Sequence, residues 1–302
     1  MNELIVLTGA TGWVGQNFLH QLQLKYPYSI YKDKVIAFGS KSKTIESTGY
    51  KSIKKIKIHP LSSMIKLLKN KKNLYFIHTA FLTREKINHY GIKKYISTNR
   101  EITEIVKETL SSSYGSKSVV ISSGAATNFE KKSSINNSIL KDPYGFLKIE
   151  EENLLKSVSN CLVLRLYAIT GRFMRDANIF AFGNFLLSAK QNTPIIIRSK
   201  NKVIRSYGYT VDIANVAISW LLSKKIVKYK CILAASHTID LLELAEEISN
   251  IYNLPKPICN YNLDLPYDNY SCKTENYIKL LRDYNLEPTR MGDQIKNSFL
   301  YI

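Results

Sequence analysis

The chain of 302 residues contains no unbroken apolar run of the length, about 18 residues, that a helix needs to cross a bilayer. Its amino terminus, Met-Asn-Glu-Leu-Ile-Val-Leu-Thr-Gly, lacks the basic start and long apolar core of a secretory leader. That segment reads as a strand entering a glycine turn. Cysteine is scarce: Cys161, Cys231, Cys259 and Cys272 are scattered, with no C-x-x-C pair. A disulfide framework or a metal site is therefore not expected, and the composition suits a reducing cytoplasm. Acidic residues are few, 24 against 43 basic ones, for a formal net charge of +19. Only nine of the basic residues are Arg. Lys, Ile, Asn and Tyr share AT-rich codons, so the charge argues only weakly for anionic ligands. The lysines are dispersed rather than set in a stripe with aromatics, which disfavours a nucleic-acid partner. With 45% hydrophobic and 22% charged residues, the chain is neither disordered nor fibrous.

Strand-like runs alternate with amphipathic helical stretches over the first two-thirds of the chain. Leu4–Leu7, Val35–Phe38, Leu74–His78, Ser118–Ser122 and Leu162–Leu166 read as buried strands. A helix through Leu24 and the stretches Thr98–Leu110 and Tyr144–Ser157 read as helices. This alternation predicts an α/β fold, a doubly wound parallel sheet with helices on both faces. Beyond Thr170 the pattern loosens. Ala177–Gln191, Val211–Leu222 and Ile239–Tyr252 read as helices, and Pro194–Ile197, Val203–Tyr207 and Tyr229–Ala234 as strands. The tail from Pro255 reads as irregular structure plus a helix. The clusters Lys54–Lys57 and Lys69–Lys72 read as solvated helix ends or loops.

The sharpest local signal is Thr8-Gly9-Ala10-Thr11-Gly12-Trp13-Val14-Gly15, between the first strand and the first helix. Glycine lets backbone N–H groups approach a pyrophosphate. The helix amino terminus adds a dipole that favours the anion. A glycine-rich turn alone would mean little; the strand–loop–helix setting makes it a dinucleotide cradle.

The G-x-x-G-x-x-G spacing resembles the extended short-chain dehydrogenase/reductase family, which contains nucleotide-sugar epimerases, dehydratases and 4-ketoreductases. The resemblance implies a Rossmann-type sheet with a smaller, mixed α/β C-terminal substrate domain, and a nicotinamide dinucleotide as cofactor. Residues 1–170, with 211–235 returning, would bind the dinucleotide; 171–210 and 236–302 would bind substrate. Gly9, Thr11, Gly12, Trp13, Val14 and Gly15 would cradle the dinucleotide, with Thr79, Ala80 and Asn99 beside it. An NAD enzyme places an acid at the end of its second strand to bind the ribose hydroxyls. Here Gly39 stands at that place, followed by Ser40, Lys41 and Lys43, which would attract a 2′-phosphate. NADP is the expected cofactor, with NAD the alternative. The plainer reading is that both lysines are ordinary surface residues of a Lys-rich chain.

Tyr144-Gly145-Phe146-Leu147-Lys148 matches Y-x-x-x-K, two side chains one helical turn apart. An ammonium beside a phenol favours the phenolate and eases proton exchange near neutral pH. In a chain with 20 Tyr such a pair arises readily by chance. The surroundings argue against chance here, because Val119–Gly124 precedes it as a strand ending in hydroxyls. By the resemblance, Tyr144 and Lys148 are catalytic and also touch the cofactor. Ser123 would be the catalytic hydroxyl, with Ser122 as fallback; the alternative alignment puts Gly124 there, which offers no hydroxyl. The likeness extends to Phe76–Ala80, to Asn99 and Thr103, to Leu164–Tyr167 and to Arg205–Ala214, whose Arg contacts the substrate diphosphate in nucleotide-sugar members. Arg205, Asn178, Thr83 and Ser123 are the expected substrate contacts, although Arg205 could instead form an ion pair with Asp212. His78 reads as a satisfied core histidine, and Trp13 as packing. The family's small-aromatic-glycine sequence after the serines is replaced by Ala125-Ala126-Thr127-Asn128, and the loop after the sixth strand reads Ala168-Ile169-Thr170-Gly171-Arg172.

A dehydratase of this family needs an Asp–Glu pair after the hydroxyl; Gly124-Ala125-Ala126 stands there. The missing acid at Gly39 favours a reductase that exchanges NADPH over an epimerase that retains NAD. The expected reaction is reduction of a nucleotide-linked 4-keto(-6-deoxy) sugar to the 4-hydroxy sugar. The alternatives are an NAD-dependent nucleotide-sugar 4-epimerase, and a noncatalytic dinucleotide-sensing or nucleic-acid-binding relative. Relatives often pair through the helices bearing Asn99 and Tyr144, so a homodimer stays open.

Overall fold

Residues 4–130, 139–225 and 227–302 are described by the computed structural model. Contacts divide the chain into two units, 1–165 with 217–232, and 166–216 with 233–302.

The first unit is built on an eight-stranded sheet. Its early strands are β1 (Leu4–Thr8), β2 (Val35–Gly39), β3 (Lys43–Glu46), β4 (Lys55–Pro60), β5 (Leu74–His78), β6 (Lys117–Ser123) and β7 (Asn160–Leu166). With the strand Tyr229–Leu233 at one edge, the order runs Tyr229–Leu233, β7, β6, β5, β1, β2, β4, β3. β1 pairs in parallel with both β2 and β5, β2 with β4, and β5 with β6. The chain first builds outward from β1 through β2, then returns to the other side of β1 at β5. The strand order reverses there, and in open α/β sheets the ligand crevice opens at such a point, outside the strands' carboxyl ends. All seven residues of β6 are buried, as expected for a strand covered on both faces.

The described helices of this unit include α1 (Trp13–Lys25), α2 (Tyr28–Lys34), α3 (Met64–Leu68), α4 (Ile87–Tyr90), α5 (Ile92–Ser111) and α6 (Pro143–Leu155). Val106 and Leu110 of α5, Leu155 of α6 and Met64 and Leu68 of α3 pack with Val6, Phe76, Val120 and Val163 from the strands. At about 25 cal/mol per Å² of apolar surface removed from water, this contact is what holds the layers together. α6 starts at Pro143, where the missing N–H costs nothing, and Asp142 caps it by accepting from the Gly145 N–H at 3.1 Å.

One expectation needs correction. From Lys55 on, the Lys54–Lys57 cluster is not a helix end or loop but the start of β4, in which Ile56 and Ile58 are buried while Lys55 and Lys57 face water. The period-two alternation was masked by the lysines. β3, antiparallel to β4, forms the sheet edge and carries Lys43, a charge that discourages edge-to-edge pairing.

In the second unit, Val203–Tyr209 is antiparallel to His237–Asp240 and parallel to Asp268–Tyr270 and Ala168–Thr170. Ile196–Ile197 pairs with Ile258–Cys259. The helix Leu241–Tyr252 begins two residues later than expected because Asp240 and Glu243 form a capping box that ends the preceding strand. The tail carries two helices, Glu275–Arg282 and Met291–Phe299. No helix among the described residues is long and apolar enough to cross a membrane.

Candidate active site

The glycine loop leaves β1 at its carboxyl end. Gly9 has φ +68°, a left-handed conformation, and a Cβ there would lie 2.5 Å from Thr79 Oγ1 and 2.7 Å from Ala80 N. A Cβ on Gly15 would lie 2.1 Å from Gly9 O. The loop therefore closes on itself only with bare backbone at these positions. Gly12 is the N-cap of α1 and makes no side-chain cap bond. A glycine-lined loop that opens a helix amino terminus fits a dinucleotide pyrophosphate. Gly15→Ala is expected to cost roughly 1–3 kcal/mol of stability through overpacking. It should also weaken dinucleotide binding by at least about tenfold. Calorimetric titration checks the second effect; unchanged affinity would show that the loop is not the cradle.

Thr79 and Ala80 are tied to the same strand end. Thr79 Oγ1 donates to Thr8 O at 2.7 Å, and the Thr79 and Ala80 N–H groups reach Thr8 Oγ1 at 3.3 and 3.4 Å. Asn99, fully buried on α5, accepts from Leu82 N at 2.8 Å and donates to Leu82 O at 3.4 Å, so it braces the segment after β5. Thr83 lies exposed in that segment, its hydroxyl donating to Glu85. The end of β2 abuts the loop: Ala10 N–H donates to Phe38 O at 3.0 Å, and a Cβ on Gly39 would lie 3.6 Å from Thr11 Oγ1. Ser40, Lys41 and Lys43 follow it and are exposed.

Ser123, at the end of β6, and Tyr144, in the first turn of α6, share a hydrogen bond. Ser123 Oγ also accepts from Ala125 N–H at 3.2 Å. Ser122 points elsewhere, donating to Glu152 at 2.5 Å. Gly145 is required beside Tyr144, because a Cβ there would lie 2.8 Å from Ala125 O and 2.7 Å from Asp142 Oδ2. Phe81 meets the Tyr144 ring edge-on at 5.8 Å, and the Arg84 guanidinium lies 5.4 Å from its centroid while pairing with Asp142 at 3.1 Å. Burial pushes the Tyr144 phenol up; the Ser123 bond opposes this, Glu151 adds to it, and Arg84 opposes it. A phenol so placed stays protonated through the neutral range, which corrects the expectation that the Lys148 ammonium favours the phenolate: that ammonium is tied to Ile121 O and Glu151 instead.

Lys148 is 4% exposed, and its ammonium donates to Ile121 O at 2.9 Å and to Glu151 Oε2 at 3.0 Å, lying 3.7 Å from the Phe81 ring centroid. His78 is buried at the end of β5, with Nδ1 2.7 Å from Thr8 Oγ1 and Nε2 2.9 Å from Glu151 Oε1. Glu151 was not singled out by motif reasoning. A carboxylate three residues after Lys148 on a helix was the signal that would have found it.

Arg205 and Asn178 belong to the second unit. Arg205 donates to Ile204 O at 2.9 Å, to Asp268 O at 2.8 Å and to Asp268 Oδ2 at 2.7 Å. Its ion partner is Asp268, not Asp212, whose carboxylate accepts from Thr289 N–H and Oγ1 at 2.9 and 2.7 Å. Asn178 lies exposed in a short 3-10 turn, Ala177–Ile179. Among the described residues, no group of three or more His, Cys, Asp or Glu is placed to hold a metal ion.

A glycine loop where the strand order turns, with a hydroxyl, a phenol and a buried ammonium beside the ends of β5 and β6, is the arrangement of the extended short-chain dehydrogenase/reductase class. Residues 5–230 match the NAD dependent epimerase/dehydratase family, and the chain belongs to that family. No curated protein matches the sequence. Among solved structures, the chain is similar to the UDP-N-acetylglucosamine 4-epimerase from Methanobrevibacter ruminantium in complex with UDP-N-acetylmuramic acid, at 17% identity, 99% of this chain and 98% of that chain, with a TM-score of 0.73. It is also similar to the UDP-glucuronic acid 4-epimerase from Bacillus cereus in complex with UDP-glucuronic acid and NAD, at 18% identity, 98% of each chain and a TM-score of 0.66. An epimerase from the methanogen Methanothermobacter thermautotrophicus matches at 16% identity, 99% of this chain and 92% of that one, with a TM-score of 0.67.

Proposed function

We propose that the protein is an NADPH-dependent reductase that converts the 4-keto group of a nucleotide-linked (6-deoxy)hexose to a hydroxyl. The observation that carries this reading is the end of β2: Gly39 beside Thr11, then exposed Ser40, Lys41 and Lys43, with no acid before Glu46. A carboxylate there would repel a 2′-phosphate, whereas lysines attract it. When bound, the nicotinamide supplies the hydride. The chain's own part is to bind, orient and deliver one proton. Ser123 donates a hydrogen bond to the carbonyl oxygen and stabilises the developing oxyanion. Tyr144, a phenol held protonated, gives its proton to that oxygen. Lys148 holds the nicotinamide ribose, and Thr83 lies on the exposed segment after β5 as a substrate contact. Arg205 serves the substrate diphosphate by exchanging Asp268 for it, with Asn178 as a further polar contact. Pairing of two chains through α5 and α6 belongs to the same reading.

A second reading is a 4-epimerase that retains NAD. It draws on the similar solved structures that are 4-epimerases, one of them holding NAD. The test is a panel of enzymatically made nucleotide-linked 4-keto sugars, followed by oxidation of added NADPH and NADH. The expected result is stoichiometric NADPH oxidation, at least about tenfold more efficient than with NADH. Interconversion of 4-hydroxy sugars without added cofactor, by protein purified with bound NAD, would replace the reductase reading with the epimerase one.

A further inference from the structure

Lys148 does not sit alone in the core. A continuous chain of buried polar groups runs from Thr8 through His78 and Glu151 to Lys148, with contacts of 2.7, 2.9 and 3.0 Å, and the ammonium ends on Ile121 O at 2.9 Å. Thr8 is 0% exposed, His78 and Glu151 1% and Lys148 4%, so none of these contacts is a solvated surface pair. A buried ammonium without a counter-charge is costly, and a buried carboxylate equally so. Glu151 meets both needs at once, with one oxygen on Lys148 and the other on His78. Burial alone would raise the Glu151 carboxyl, but Lys148 and His78 outweigh it and hold it below the ordinary carboxylate range, so it is ionised at neutral pH.

We infer that Glu151 is a positioning residue for the Tyr144–Lys148 pair: it anchors the ammonium of Lys148 and, through His78 and Thr8, ties it to the strand end from which the glycine loop departs. This rests on the reading of Tyr144 and Lys148 as the reacting pair. The coupling joins the two halves of the first unit's site, since Thr8 also receives the Thr79 and Ala80 N–H groups. It also sets a charge. Glu151 acts electrostatically on Tyr144 in the direction opposite to Arg84 and to the Ser123 hydrogen bond. The other charged or titratable groups that face the phenol are Glu85, beside Arg84, and Tyr95 of α5. Facing Glu151 itself are Lys148 of α6, His78 of β5 and, more weakly, the Cys161 thiol of β7.

The test separates anchoring from charge and needs no substrate for its first arm. Glu151→Gln keeps the shape and removes the charge: its amide oxygen accepts from Lys148, and its amide nitrogen faces His78 Nε2, which donates to the parent carboxylate and accepts from the amide only with its proton moved to Nδ1. In ligand-free protein labelled with 13C at the tyrosine Cζ, with the Tyr144 signal assigned by its loss in Tyr144→Phe, the titration midpoint of Tyr144 should move to lower pH in Glu151→Gln. A midpoint that stays or rises overturns the proposal. In the second arm, Glu151→Ala, which removes the anchor as well, should lower kcat by on the order of 100-fold while Glu151→Gln keeps turnover within about tenfold. Equal turnover in both variants and in the parent overturns the anchoring role. If no nucleotide sugar is turned over by the parent while the Tyr144 midpoint moves as expected, the reductase reading fails and the assignment of Glu151 stands.

Discussion

Replacing Tyr144 with Phe is expected to lower kcat by about 100- to 10,000-fold, the span that a positioned general acid contributes, while leaving dinucleotide affinity within about threefold of the parent. The substitution removes one oxygen and nothing else. The ring keeps its edge-on contact with Phe81 at 5.8 Å and the Arg84 guanidinium at 5.4 Å from its centroid. The glycine loop at Gly9, Gly12 and Gly15 is untouched, and Lys148 keeps Ile121 O and Glu151 as partners. What is lost is the proton and the hydrogen bond shared with Ser123. The sign of the pH dependence follows from the same environment. Burial, the largest influence, raises the phenol, so the acid form persists through neutral pH and above. In the reductive direction the parent rate should hold level across the neutral range and fall only at alkaline pH, as the phenol ionises. Tyr144→Phe should lose that alkaline fall along with the rate. Initial rates against pH, paired with calorimetric titration of the dinucleotide, check both statements. Turnover within tenfold of the parent would remove Tyr144 from the role of proton donor.

The fold was legible because the buried strands announce themselves. Leu4–Leu7, Leu74–His78 and Leu162–Leu166 are short apolar runs with helical stretches between them, and each lies in a strand of the sheet. The glycine loop was legible because its order along the chain carries the geometry: a strand, a left-handed glycine, a helix start. β4 was hidden for a physical reason. Lys55 and Lys57 project from an outer strand into water, so the segment reads as a charge cluster unless alternation is weighed above composition. The network around Lys148 was hidden for another. His78 and Glu151 stand 73 residues apart, and the sheet brings them together only because β5 and α6 meet across β6. Spacing along the sequence encodes a helical neighbour such as Lys148 and Glu151, but not a partner delivered by topology. Arg205 shows the same limit. Asp212, seven positions on, was the nearest acid in sequence, and strand pairing supplies Asp268 instead, because Arg205 lies in register with Tyr270 of the neighbouring strand.

Glu152→Ala is expected to cost about 3–5 kcal/mol of stability, the range measured when one member of a buried ion pair is removed. Glu152 is 1% exposed and Arg165 2%. Glu152 accepts from Arg165 Nε at 2.9 Å and Nη2 at 2.7 Å, and from the Ser122 hydroxyl at 2.5 Å. One carboxylate on α6 thus joins the centre of the sheet at β6 to its neighbour β7, next to the serine that faces Tyr144. Burial alone would weaken the Arg165 guanidinium as a base, yet Glu152 outweighs that and holds it charged. Removing the carboxylate leaves that charge in the core with Thr127 and the half-exposed Glu130 as its remaining hydrogen-bond partners among the described residues. The pair itself need not be a net source of stability, since the desolvation of two ions offsets most of their attraction. The double variant Glu152→Leu, Arg165→Met should therefore lose less than either single variant, because no unpaired charge remains. Both tryptophans, Trp13 and Trp220, lie in the first unit, so their fluorescence in a urea titration follows the unfolding of the part that carries the pair. If Glu152→Ala shifts that transition by less than about 1 kcal/mol, the value of an exposed pair, then water reaches Arg165 and the buried clasp between α6, β6 and β7 does not exist as described.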